Sequence, residues 1–245
     1  MEKVPYFIII PARLKSTRLP NKPLIDLMGK SMIQRTYDRC IQAAPKNQVV
    51  IATDSKEIFM HCKERNMNAE ITSQNCLTGT DRVADLATKL NSDYFINVQG
   101  DEPLINPDDI KLVISKCLKN NKIIFNGYTK IYDSELFFSS STPKVVFNKA
   151  KKLMYMSRAP IPGNKNNEFN ESFRQVCIYG FPKWALQKFK SQSSKTQFEN
   201  IEDIEILRFL ELGFEVEMLE MSNESIPVDY PEDVKKVIAK LENEK

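Results

Sequence analysis

A chain of 245 residues, 42% hydrophobic and 27% charged, can bury a core, and no apolar run in it reaches the length of a membrane span. Its 35 basic and 32 acidic side chains leave a formal charge of +3, so nothing global draws it to nucleic acid or a lipid surface, and neither is expected as a partner. Five cysteines, at 40, 62, 76, 117 and 177, form no CxxC or CxxH spacing and leave an odd count, which argues against a zinc site or disulfide framework and for reduced thiols in the cytoplasm.

The chain opens on "YFIII" (6–10), a continuous apolar run ended by Pro11, which predicts a strand buried on both faces and is too short for a signal sequence. It leads into "RLKSTRLPNKPL" (13–24), where Arg13, Lys15, Arg18 and Lys22 meet no acid, since no Asp or Glu occurs between Lys3 and Ile25. Pro11, Pro20 and Pro23 stiffen this loop, so its cations would lose little entropy on meeting a polyanion. "GKS" (29–31) resembles the end of a Walker A loop, but Leu24 stands where that motif needs glycine, and the segment reads as a turn before a helix. Helical patterns at 31–43, 55–65, 79–90 and 107–119 alternate with strand patterns at 48–53 and 93–99. That alternation predicts right-handed βαβ units, a mostly parallel sheet with helices on both faces, and a binding crevice at the carboxyl ends of the strands. No GxGxxG occurs, and the one histidine, His61, falls inside a predicted helix, so neither a dinucleotide site nor histidine catalysis is expected.

"NVQGDEPL" (97–104) leaves its strand at the crevice, with Gly100 allowing close backbone approach and Gln99, Asp101 and Glu102 following directly. Hard carboxylate oxygens at such a point suit Mg²⁺; capping of the next helix accounts for Glu102 or Asp108, whereas Asp101 lies too far from its start. From about 123 the texture changes: "IIFNGYTKI", "PKVVF" and "KKLMYMS" read as strands joined by turns, an antiparallel extension over about 123–160. "GNKNNEFNES" (163–172) reads as a surface loop, "RQVCIYGF" as a strand, Pro182 as the start of a short helix and 201–212 as a longer one. "FEVEML" returns as a strand and 231–242 closes as a helix, giving one α/β domain over 1–245. Asp229, just before that helix, is either a turn residue or a second carboxylate facing Asp101; the residues alone leave both open.

Taken together, "IPARLKSTRLPNKPL", "TGTDR" (78–82), "NVQGDEPLI", "PKVVF", "YMSRAPIP", "IYGF" and "VDYPEDV" resemble, in this order, the CMP-Kdo synthetases, the 3-deoxy-manno-octulosonate (Kdo) cytidylyltransferases. The resemblance covers nearly the whole chain. It implies a nucleotide-binding α/β sheet, a homodimer formed through the antiparallel segment, and coupling of CTP to a 3-deoxy-ulosonic acid with release of pyrophosphate, for lipopolysaccharide or capsule assembly. By motif, Arg13, Arg18 and Lys22 would contact the triphosphate, and Pro11 and Ala12 would hold base and ribose through their backbone. Thr78, Gly79 and Arg82 would complete the cytidine pocket, and "TGTD" also reads as a capping box. Gln99 would touch substrate, and Asp101 with Asp229 would ligate Mg²⁺, leaving no separate base obligatory for attack of the anomeric hydroxyl on the α-phosphorus.

On the acceptor side Arg158, Tyr179 and Glu205 match the family, with Arg158 the candidate for the sugar carboxylate. Gln175 stands where the family shows histidine, and Ile206 where it shows glutamine, so an altered sugar is expected. The plainer readings are an i,i+3 surface pair of Glu205 with Arg208 and a strand-end salt bridge for Arg158. Two other functions fit parts of the pattern. One is a nucleotidylyltransferase for another sugar acid or a sugar phosphate, although Asn21 stands where those enzymes commonly carry glycine. The other is a nucleotide-binding regulator without turnover, which would leave Asp101 and Asp229 without a role.

Overall fold

The computed structural model describes residues 3–14, 16, 18–120 and 122–243, so Lys15 of the basic loop lies outside the described residues. The first half follows the predicted alternation: β1 (Phe7–Ala12), α1 (Met32–Ala43), β2 (Val49–Thr53), α2 (Lys56–Glu64), α3 (Gly79–Ala87), β4 (Tyr94–Val98) and α4 (Pro107–Lys119). A short strand that the pattern did not announce, β3 (Ala69–Ile71), precedes α3. The helices form for local reasons. In α1, Met32, Ile33, Tyr37 and Cys40 make one buried stripe, and Ser31 caps the start by accepting the Gln34 N–H at 3.3 Å.

The second half contains β5 (Ile124–Ile131), α5 (Ser134–Phe138), β6 (Lys144–Phe147), β7 (Leu153–Ser157), β8 (Ser172–Pro182), α6 (Lys183–Lys190), α7 (Gln197–Glu202), α8 (Ile206–Glu211), β9 (Val216–Glu220) and α9 (Pro231–Asn243). Among the described residues one sheet runs in the order β3-β2-β1-β4-β8-β5-β9, with β6 joined to β7 and β8. Pairs β1–β2, β1–β4, β2–β3 and β5–β9 are parallel, while β8 runs antiparallel between β4 and β5. Ile8 and Ile10 face the cluster beneath α1, α2 and α4, and Phe7 and Ile9 face the one beneath α3, α6 and α8. Both faces are covered, which is why β1 is apolar at every position rather than alternating.

Three expectations are corrected. Pro11 does not end the first strand: it pairs with Ala52 and Ala12 with Thr53, while β4 stops accompanying β1 at Ile9, so on that side proline removes no ladder bond. The strand over 124–131 is an inner member of the main sheet, and the antiparallel extension proper is β6 with β7. The helix expected over 201–212 is two helices, because Asp203 takes a left-handed φ of 51° between α7 and α8. The 163–172 loop lies outside the large cavity described below.

Lys144, the first residue of β6, is fully buried and fastens the extension to the sheet rim. Its ammonium donates to the Ser139 carbonyl at 2.8 Å and to the Arg158 carbonyl at 2.6 Å. Burial, and then the Arg158 charge, lower its pKa to about 8 against the opposing pull of Glu202. The unfolded chain therefore holds this proton through a window, from about pH 8 to the ordinary lysine value, in which the folded chain has released it, and stability rises with pH there. Lys144→Met should destabilise the fold by about 1–3 kcal/mol at pH 7, since two part-buried carbonyls lose their donor. Urea titrations at pH 7.5 and 9.5 should show wild type gaining on the variant at the higher pH; parallel pH profiles would remove the assignment.

Candidate active site

The carboxyl ends of β1 and β4 open into a cavity of about 650 Å³, and the loops that leave those strands line it. Pro11 and Ala12 are buried at its floor, and Gly100 lies so close to them that a Cβ there would stand 2.8 Å from the Pro11 carbonyl oxygen. Only glycine lets the Asp101 loop rest on the end of β1. Arg13 is exposed at the edge of the cavity. The neighbouring Asp203 carboxyl is held below its usual range, first by a hydrogen bond from Lys195 and further by Arg158 and Arg13.

The acids missing from the basic loop come from elsewhere in the chain. Lys22 donates to Asp101 Oδ2 at 2.6 Å and to Asp229 Oδ1 at 3.0 Å, and Arg18 Nη2 lies 3.1 Å from the same Asp229 oxygen. Burial works against the Lys22 charge, but Asp101 and Asp229 outweigh it and keep the ammonium protonated above the ordinary lysine range. The Arg18 guanidinium also covers the Tyr230 ring, 5.3 Å from its centroid.

Asp229 reaches Asp101 because the segment after β9 is sewn onto the start of α4. The Ser222 N–H and hydroxyl donate to Asp109, at 3.1 and 2.7 Å, the Ser225 hydroxyl donates to Glu102, and the Val228 N–H donates to the Asp101 carbonyl at 3.0 Å. Glu102 is therefore a fully buried partner of this seam, its pKa raised to about 7 by burial and by the Asp101 charge. The cap of α4 is Asn106, whose side chain accepts the Asp108 N–H at 2.9 Å; neither Glu102 nor Asp108 supplies it. Asp229 also serves the turn before α9, its own N–H donating to Asp233 in the first turn of that helix at 3.1 Å, while its side chain lines the cavity.

On the opposite wall Thr78 caps α3, accepting the Asp81 N–H at 3.1 Å. The Glu205 carboxylate accepts from the Gly79 N–H at 2.9 Å, the Thr80 N–H at 2.7 Å and the Thr80 hydroxyl. A negative charge at a helix N-terminus is favourable, although burial raises the Glu205 pKa before those bonds lower it. The surface pair with Arg208 is thus overturned: Arg208 is fully buried and holds Glu199 Oε2 at 2.6 Å and Asp81 Oδ1 at 2.9 Å. The Gln99 amide lies beneath Gly79, where a Cβ would come within 3.0 Å of it. Arg82 borders the cavity, but its buried guanidinium is held by Asp54 at 3.0 Å and by the Thr72 hydroxyl at 2.5 Å, so it braces the wall.

The acceptor side departs most from expectation. Among the described residues Arg158 makes no strand-end salt bridge; its Nε, Nη1 and Nη2 donate to the carbonyls of Glu202, Ser140 and Asp203 at 2.6, 3.0 and 3.1 Å. Gln175 is anchored deep in the wall, its Nε2 donating to Asn126 Oδ1 and to Tyr179 Oη, each at 3.0 Å. Asn126 donates its own amide to the Val176 and Ile178 carbonyls, which fixes the direction of that bond. Ile206 belongs to the core beneath α8 and does not line the cavity. Sequence reasoning missed Arg174, a buried cation on the cavity wall that donates to Asn223 Oδ1 at 2.9 Å and to the Ser225 carbonyl at 3.0 Å. An arginine inside an otherwise uncharged strand was the available signal.

No group of three or more metal-ligating side chains occurs among the described residues. Two carboxylates converging on one ammonium nevertheless match what Mg²⁺ takes from a protein when substrate phosphates and water complete its shell.

Residues 7–226 match the family model described as cytidylyltransferase. A 3-deoxy-manno-octulosonate cytidylyltransferase of Protochlamydia amoebophila is 36% identical over 238 residues, covering 94% of this chain and 91% of that protein. One from a Nitratiruptor species is 40% identical over 238 residues, covering 95% and 98%. The structure of a CMP:2-keto-3-deoxy-manno-octonic acid synthetase complexed with CTP superposes with a TM-score of 0.89 at 34% identity, covering 99% of this chain and 100% of that one. A likeness of this extent, in a chain that carries the motifs at the positions just described, places the protein in the cytidylyltransferase family, on the branch of the 3-deoxy-manno-octulosonate cytidylyltransferases.

Proposed function

We propose that this chain transfers the cytidylyl group of CTP to the anomeric hydroxyl of a 3-deoxy-ulosonic acid, Kdo or a close relative, and releases pyrophosphate. The convergence of Lys22, Asp101 and Asp229 at the cavity mouth carries the reading. Pro11, Ala12, Thr78 and Gly79 form the wall for the cytidine, while Arg13, Arg18 and Lys22 lie along one loop for the triphosphate. The product, a sugar activated as its CMP ester, suits transfer into lipopolysaccharide or capsule, and the site of action is the cytoplasm.

Phosphoryl transfer asks the protein for position and for charge stabilisation more than for covalent chemistry. Arg18 and Lys22 are the cations nearest the two aspartates and are placed to stabilise departing pyrophosphate. Asp101 and Asp229 would hold Mg²⁺, which when bound polarises the α-phosphate and lowers the pKa of the attacking hydroxyl. Gln99 and the carbonyl oxygen of Gln175, whose amide nitrogen is held by Asn126 and Tyr179, are the neutral groups for the acceptor, and Arg174, whose charge is buried but whose side chain borders the cavity, joins Arg158 as a candidate for its carboxylate. With a neutral amide at Gln175 in place of histidine and Ile206 withdrawn into the core, the acceptor meets one polar reader fewer, which fits a sugar altered in its ring or tail substituents.

A homodimer joined through the antiparallel segment accords with the apolar side chains exposed on and beside it, among them Tyr132, Phe138 and Met154. Sedimentation of the purified chain should give twice the monomer mass, and a monomer at micromolar concentration would reject that arrangement. A pyrophosphate-release assay with CTP and Mg²⁺ across Kdo, an amino-Kdo and several nonulosonic acids should respond to at least one; silence with all of them would remove the enzymatic reading. Asp101→Asn should lower turnover by about 10²-fold or more, by analogy with loss of one preorganised charge, with unchanged circular dichroism. Turnover within a few-fold of wild type would reject the metal assignment.

A further inference from the structure

Lys22 holds two incompatible positions. The triphosphate needs its charge, yet its ammonium lies between Asp101 Oδ2 and Asp229 Oδ1, the oxygens that a divalent cation would take. Together Lys22, Arg18, Asp101 and Asp229 form a neutral set of two cations and two anions. A divalent cation added to this set would make it doubly positive, with metal and ammonium crowded on the same oxygens in a partly desolvated site. A triphosphate would reverse that balance, supplying anionic oxygens for the displaced ammonium and for the metal at once.

From this we infer that Lys22 is a built-in surrogate for the metal: it holds the two aspartates together before nucleotide arrives, excludes free divalent cations, and hands both carboxylates over when the triphosphate draws its ammonium away. The inference rests on the assignment of Asp101 and Asp229 as metal ligands. The local backbone allows the exchange without refolding. Lys22 begins a single 3₁₀ turn, Lys22–Leu24, that is closed by the Leu24 N–H on the Asn21 carbonyl at 2.8 Å and by the Ile25 N–H on the Lys22 carbonyl at 3.3 Å. Pro23 is buried behind it, so the main chain stays fixed while a four-carbon stem swings. Its side chain is 14% exposed and lines the cavity, so the ammonium can leave the carboxylates for a ligand bound there. A permanent brace would also be fastened in this way, and the two roles differ in what the metal alone does.

The test titrates Mn²⁺ alone, without nucleotide, by electron paramagnetic resonance of the free ion. Lys22→Met should bind Mn²⁺ at least tenfold more tightly than wild type, while Lys22→Arg, which keeps the charge, should exclude it as wild type does. CTP affinity measured with Mg²⁺ should fall in Lys22→Met. Equal or weaker Mn²⁺ binding by Lys22→Met overturns the surrogate role, and if that variant does not fold, Lys22→Gln takes its place under the same criterion. Asp101→Asn in the Lys22→Met background separates the two levels. Loss of the gained Mn²⁺ binding supports both, whereas its persistence means that the ion sits elsewhere and that the metal assignment itself fails.

Discussion

The seam that lays the chain after β9 along the start of α4 is the constraint on which this site rests. Asp109 receives Ser222, Glu102 receives Ser225, and the Asp101 carbonyl receives the Val228 N–H, so three successive contacts fix the register of two segments remote in sequence. Each joins buried or half-buried polar groups, and a register slip would leave several of them without partners at once. The side chain that follows Val228 is Asp229, which is thereby delivered to Asp101. The last of these contacts, the Val228 backbone hydrogen bond, lies directly beside both carboxylates, which Lys22 then bridges.

Charge closes the arrangement that the seam begins. A loop with four basic residues and no acid would repel itself if it were left alone, and a pair of half-buried aspartates would do the same. Brought together, Arg18 and Lys22 neutralise Asp229 and Asp101, and Tyr230 adds an aromatic face beneath Arg18. On the far wall the same economy appears in Glu205, whose carboxylate is satisfied by the N-terminus of α3 rather than by a cation. Lys22, Arg18, Asp101, Asp229 and Glu205, which line the cavity, are thus already paired with the protein. A ligand that meets these groups would bind by exchanging partners.

Much of the layout was legible in the residues. The apolar runs of β1, β2 and β4 and the capped helices between them specify a parallel sheet with two covered faces, and the rule that such sheets bind at their carboxyl ends points to 11–24 and 97–104. The errors came where local signals compete. Pro11 reads as a strand end unless one knows that its neighbour β4 has already stopped, and the break between α7 and α8 is hidden because the apolar period continues through the left-handed Asp203. Arg174 escaped notice because an isolated arginine in a strand carries no spacing pattern.

The sequence by itself determined the fold class, the basic loop and the strand-end acid, because periodicity, proline and glycine act over a few neighbouring residues and are written in order along the chain. It could not decide which carboxylates would balance that loop, whether Asp229 was more than a turn residue, or that Glu205 would accept the first N–H groups of α3 while Arg208 turned inward to Glu199 and Asp81. Those outcomes are pairings across long loops, and their partners are chosen by the closure of the sheet and the requirement that buried polar groups be satisfied. Only the tertiary structure expresses these conditions.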